Sequence, residues 1–109
     1  MLLRKQKVLV TLADGTTNTI TDKTRQSVDD EDFSSAVYSK ADLVFNGSGT
    51  LNVNAGYRNG IKSTDDLKVV SGTFNITSNE DGIIGKDFLG IKDGKFTIKS
   101  GSDGMKSTI

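Results

Sequence analysis

The sequence predicts an all-β chain wound as a right-handed parallel β-helix (a solenoid) of about three to four rungs, with roughly 22 residues per rung. Three observations carry that prediction. Segments starting at Asp66 (DLKVVSGTFNITSNEDGIIGKD) and at Phe88 (FLGIKDGKFTIKSGSDGMKST) align without gaps at a spacing of 22. Apolar residues within each copy alternate with the strand period of 2 rather than the helical 3.6. Twelve glycines, many Ser, Thr and Asn residues and no proline supply tight turns between short strands.

The repeat defines the elements in order. Leu67 pairs with Leu89, Val69 with Ile91, Gly72 with Gly94 and Phe74 with Phe96. Ile76 then pairs with Ile98, Asp81-Gly82 with Asp103-Gly104, and Ile83 with Met105. A third copy lies upstream at a slightly longer spacing: Asp42-Leu43, Phe45, Gly49, Leu51, Val53 and Asn59-Gly60-Ile61. In the second copy, Leu67-x-Val69, Phe74-x-Ile76 and Ile83-x-Gly85 read as three strands of one rung. A helix is excluded because Gly and Asn interrupt every window before two turns form. Stacking then gives five inward columns: Leu43/Leu67/Leu89, Phe45/Val69/Ile91, Leu51/Phe74/Phe96, Val53/Ile76/Ile98 and Ile61/Ile83/Met105. Each inward side chain stabilises by about 1.5–3 kcal/mol on burial, and only neighbouring rungs complete that burial.

Upstream the pattern is looser. Val8, Val10 and Leu12 alternate as a strand, Asp14-Gly15 marks a turn, and Thr17 to Thr21 is a second strand. Residues 22–34 are polar and acid-rich and read as a loop. Ala36-Val37-Tyr38-Ser39 matches Gly60-Ile61-Lys62-Ser63 and closes an irregular first rung. Residues 1–109 thus form a single β-helix domain, or a fragment of a longer one: 1–39 the first rung, then rungs 40–64, 65–86 and 87–109. No amphipathic cap precedes Ile109, so the chain is expected either to be cut from a longer β-helix or to bury its open end against another copy by self-association.

Composition excludes several functions. With 14 basic and 14 acidic residues the chain is neutral, which removes the basic face that nucleic acid requires. The absence of Cys and His excludes disulfides, thiolate or imidazole zinc sites and His-based triads. No segment approaches the roughly 20 apolar residues of a membrane span. Gly47-Ser48-Gly49 lacks the Lys-Ser/Thr and the helix of a phosphate loop.

The candidate chemistry lies in polar columns on the outside of the coil. Asn59, Asp81 and Asp103 should stack at the turn before each third strand. Asp65 and Asp87 form a second acidic column, with Asp42 and Asp66 beside it. Carboxylates about 4.8 Å apart, the spacing between rungs, repel unless water screens them or a cation joins them. Calcium suits the second case, since it takes six to eight oxygen ligands. The alternative is turn chemistry alone, Asx tolerating αL and glycine supplying positive φ. Arg58, Lys62, Lys86 and Lys106 form a basic set nearby that suits uronate carboxylates or serves as solvated gatekeepers. Tyr57 and Tyr38 offer rings for sugar stacking or rung-edge packing. The outward set Asn52/Asn75/Thr97 reads as a register-holding ladder or a glycan contact. No residue is assigned a catalytic role.

Segments LADGTTNTITD, YSKADLVFNGSGTLNV, NGIKSTDDLKVVSGTFNIT, DGIIGKDFLGIKDGKFTI and DGMKST resemble the carbohydrate-binding domain-containing proteins of secreted bacterial origin. That family is similar in fold to pectate-lyase-type β-helices. The resemblance covers about Val8 to Thr108. It implies an extracellular or cell-surface module that binds acidic or plant cell-wall polysaccharide with calcium, in a family usually without demonstrated lyase activity. By position it implies Asp65, Asp66, Asp81, Asp87 and Asp103, with Asn59, as calcium ligands, and Phe88 at the place of Asp66 leaves a site there incomplete. Family members usually carry a signal sequence and more rungs. The alternatives are a calcium-dependent polysaccharide lyase with Arg58 or a lysine as base, and a structural β-helix fragment of a surface adhesin.

Overall fold

In a computed structural model, residues 7–22, 35–56 and 58–107 are described. They form strands only. The first rung holds β1 (Lys7–Leu12), β2 (Thr17–Asp22) and β3 (Ser35–Ser39). The second holds β4 (Asp42–Gly47), β5 (Thr50–Ala55) and β6 (Asn59–Ser63). The third holds β7 (Asp66–Val69), β8 (Thr73–Ser78) and β9 (Ile83–Gly85). The fourth holds β10 (Phe88–Ile91), β11 (Lys95–Ser100) and β12 (Met105–Lys106).

Every third strand returns to the same sheet. The three sheets run β1-β4-β7-β10, β2-β5-β8-β11 and β3-β6-β9-β12, and all strand pairs are parallel. This is a parallel β-solenoid. Register bears out all five inward columns: Leu43↔Leu67↔Leu89, Phe45↔Val69↔Ile91, Leu51↔Phe74↔Phe96, Val53↔Ile76↔Ile98 and Ile61↔Ile83↔Met105. The offset is 24 residues from Leu43 to Leu67, 23 from Leu51 to Phe74 and 22 from Leu67 to Leu89, so a turn averages slightly more than the repeat alone indicates. β2 extends to Asp22, one residue into the expected loop, while residues 23–34 lie outside the described residues.

The core follows from this stacking. Leu43, Phe45, Val53, Ile61, Leu67, Val69, Phe74, Ile76 and Ile83 are all buried. Phe74 sits between two other rings, edge-on to Phe45 with centroids 5.4 Å apart and stacked on Phe96 at 5.0 Å. Both arrangements satisfy the aromatic quadrupole. At the end rungs, Val8, Ile20, Ile91 and Met105 occupy inward registers yet stay exposed, because no described strand lies beyond them.

Polar side chains hold the corners. Buried Ser63 donates to the Ala41 carbonyl at 2.8 Å, and its oxygen accepts the Asp65 N–H at 3.1 Å. On the second sheet the Asn75 amide donates to the Asn52 Oδ1 at 2.9 Å, which makes the outward Asn column a ladder. Gly47 takes φ +96° where the chain leaves β4, and a Cβ there would overlap the Leu12 backbone. No other residue type fits that position without strain.

Candidate functional site

The outer face of the third sheet gathers most of the residues singled out from the sequence. Register places Tyr38, Lys62, Ile84 and Lys106 in one outward column across β3, β6, β9 and β12. Their neighbours along each strand, Val37, Ile61, Ile83 and Met105, point the other way, as strand alternation requires. Arg58 and Glu80 lie just before β6 and β9, and the Glu80 N–H donates to the Arg58 carbonyl at 2.8 Å. Lys86 follows β9, and its N–H donates to the Ser63 carbonyl at 3.0 Å.

These elements enclose a groove of about 240 Å³. Arg58, Lys62, Lys86 and Lys106 supply its cations; Asn59, Glu80 and Asp81 are its other polar lining, with Ile84. Among the lining residues four are cations and two are carboxylates. The Arg58 Nε donates to the Glu80 Oε2 at 3.0 Å. The Lys106 Nζ lies 3.5 Å from the Asp81 Oδ2 and 4.0 Å from the Asp103 Oδ2. Among the described residues the Lys62 side chain has no ion-pair or hydrogen-bond partner. Ile84 is only 5% exposed although its register is outward. Its column neighbours are lysines, whose aliphatic stems can lie along it while the ammoniums reach water.

The column Asn59, Asp81 and Asp103 forms as expected, and its bonding explains why polar groups are buried there. The Asn59 Oδ1 accepts the Asp81 N–H at 3.1 Å, and the Asp81 Oδ1 accepts the Asp103 N–H at 3.0 Å. Each side chain thus satisfies a backbone donor of the next rung. The glycines that follow serve close approach rather than positive φ. A Cβ on Gly60 would come within 2.5 Å of the Gly82 carbonyl oxygen, and one on Gly82 equally close to that of Gly104. Among the described residues the positive-φ glycines are Gly15, Gly47, Gly72 and Gly94, so Gly60 and Gly82 do not supply the positive φ that turn chemistry alone assigned to them.

The six residues expected as calcium ligands lie in two places, the Asx column before the third sheet and the corner leading into the first. Asp81 offers one oxygen to the Asp103 N–H and the other to Lys106. Asp65, Asp66 and Asp87 lie at the corner leading into the first sheet. There the Asp87 N–H donates to the Asp65 carbonyl at 3.0 Å, and the Asp66 N–H to the Asp42 Oδ1 at 3.2 Å. No group of three acidic side chains converges among the described residues. Tyr57 lies outside the described residues.

Glu80 and Ile84 are groove residues that the sequence reading missed. Glu80 was findable: it follows Arg58 by 22 residues, which puts opposite charges one above the other. Ile84 carried no such signal, since an isoleucine beside inward Ile83 breaks the alternation.

A family model described as carbohydrate-binding domain-containing protein matches residues 1–109. A relative of the same description from Acetivibrio thermocellus is 35% identical, over 65% of this chain and 26% of its own length. The chain therefore spans about a quarter of that relative. Among solved structures, the polysaccharide lyase-like protein from C. thermocellum, a gadolinium derivative, matches with a TM-score of 0.69 at 20% identity. That match covers 93% of this chain and 62% of the other, and at such identity it carries the fold alone. No helix among the described residues is long and apolar enough to cross a membrane.

Proposed function

Because the chain belongs to the carbohydrate-binding domain-containing family, we propose that it is a non-catalytic module for acidic polysaccharide and that the groove on the third sheet is its binding site. The observation that carries this reading is the charge inside the groove, where four cations outnumber two carboxylates. A uronate chain presents a carboxylate on every ring and hydroxyls between. Lys62, half-buried and without an ion-pair partner among the described residues, is the first contact for such a carboxylate, and Lys86 and Lys106 flank it. The groove also holds hydrogen-bonding groups of both kinds, which hydroxyls need.

Calcium enters this reading only with the glycan present. Asp65 and Asp87 would hold the ion at the corner, and the carboxylates and hydroxyls of the bound chain would complete its oxygen shell. When bound, it would screen the two aspartates and bridge them to the ligand. Location outside the cell or on its surface follows from the same reading, since acidic cell-wall glycans are found there.

A glycan array with and without calcium tests the proposal. Binding to galacturonan-type polymers that EDTA weakens is the expected result. Equal binding in EDTA removes the metal, and no binding to any acidic glycan removes the function. Appearance of absorbance near 235 nm from unsaturated product would instead support the lyase reading.

A further inference from the structure

We propose that Phe88, on the outer face of the first sheet, is the stacking platform of a second saccharide subsite, resting on the glycan-binding reading but not on the groove. Phe88 is 50% exposed although it is a large aromatic. Its ring does not project freely; it lies back along β10 over Gly90. A Cβ placed on Gly90 would come within 2.6 Å of the Phe88 Cε2 and 3.1 Å of its Cζ. The column that ends at Gly90 holds Val44 and Lys68 in the two rungs before it. The column that ends at Phe88 holds Asp66 in the rung before it. The fourth rung thus departs from the repeat at two positions, and the departures fit each other: the glycine makes the room in which the ring lies down.

The surroundings suit a sugar. Phe88, Gly90, Val69, Val70 and Ile91 form a shallow apolar depression of about 340 Å³, with Lys68 and Lys92 at its edge. A pyranose has one face of C–H bonds, weakly positive, and an aromatic ring has a negative face, so the two attract beyond the area they bury. The hydroxyls and carboxylates at the sugar rim are met by ammoniums. Lys68 and Lys92 have no ion-pair partner among the described residues, so their charge is open to an acidic ring. A protein partner is the less fitting occupant, because the apolar area is small and bordered by like charges.

The subsite and the groove also meet. Lys86 lines the groove, and Phe88 is two residues further on, at most about 7 Å along an extended chain. One polysaccharide chain passing over the corner would therefore engage the cations first and the ring next.

The test is titration of the full chain with tetragalacturonate and with cellotetraose, followed by NMR. Ring-current upfield shifts of sugar C–H protons are expected with wild type. Phe88→Ala should weaken tetragalacturonate binding by about three- to tenfold, the range for one lost aromatic contact, with thermal stability unchanged. Phe88→Leu keeps an apolar side chain without the ring and should lose as much. Gly90→Ala, which pushes the ring off its bed, should lose part of it. Lys62→Ala separates the two sites. Weakening in Lys62→Ala with none in either Phe88 variant overturns the subsite and leaves the groove. The opposite pattern supports the subsite and removes the groove. Failure of wild type to bind either oligosaccharide overturns both.

Discussion

Replacing Asp81 tests whether the Asx column is a hydrogen-bond ladder or a metal site. Asp81 is 8% exposed; it accepts the Asp103 N–H at 3.0 Å and faces Lys106 at 3.5 Å. In Asp81→Ala, Asp103 loses the carboxylate its N–H donates to. Hydrogen bonds to charged groups contribute about 1.5–3 kcal/mol, so a loss of about 2 kcal/mol is expected. At roughly 4–8 °C per kcal/mol for a domain near this size, the melting temperature falls by about 8–16 °C. Asp81→Asn keeps the oxygen that accepts the N–H and loses only the lysine pair. That pair joins a mostly covered carboxylate to a lysine side chain 39% exposed, and such pairs contribute about 0–1 kcal/mol. Asn59 already does the same work with an amide one rung earlier. Thermal unfolding in calcium and in EDTA is the assay. If the two variants are equally destabilised, or if calcium raises the melting temperature of wild type but not of Asp81→Asn, the ladder account is wrong.

Three further outcomes follow from the fold and the groove. Phe74→Ala removes the middle ring of a three-ring cluster and should cost about 3–5 kcal/mol in urea unfolding; a loss below about 1 kcal/mol would mean the core rearranges freely. Gly47→Ala should destabilise by about 1–3 kcal/mol, and more than Gly15→Ala. Gly15 also has positive φ, but a Cβ there meets nothing within 4 Å, so equal losses would remove the close-approach argument. Calorimetric titration with tetragalacturonate should show affinity falling as salt rises from 0.01 to 0.1 M, where the screening length drops from about 30 to 10 Å. Affinity independent of salt would exclude the cationic groove as the binding site.

The fold was legible because two periods coincide in this sequence. Alternation at 2 assigns strands and their inward side, and recurrence near 22 assigns which strand pairs with which, so register needed no further information. The groove was legible for the same reason: Lys62 and Lys106 are inward-neighbour-plus-one positions in equivalent rungs, and Arg58 and Lys86 flank them. What the sequence does not carry is the bonding of individual side chains. Asp81 carries the composition of a calcium ligand, but whether its oxygens face solvent or a neighbouring N–H depends on turn geometry of about an ångström. Phe88 stood out only as an interruption of the acidic column. Its use follows from Gly90, two residues on, and the relation between them exists only once both lie on the same face of one strand.

The Asx ladder has a direction, and direction has consequences for how such a chain grows. Each side chain serves the rung that follows it, so a rung is recognised by its successor through one acceptor and one N–H. A segment inserted between Asn59 and Asp81 or between Asp81 and Asp103 has to bring both, together with inward residues that continue the five core columns. A proline at the donor position would stop the series, since it has no N–H to give. Lengthening by duplication is then a matter of copying a unit with compatible ends, and the outward columns lengthen with it, adding one more row of side chains for every unit copied.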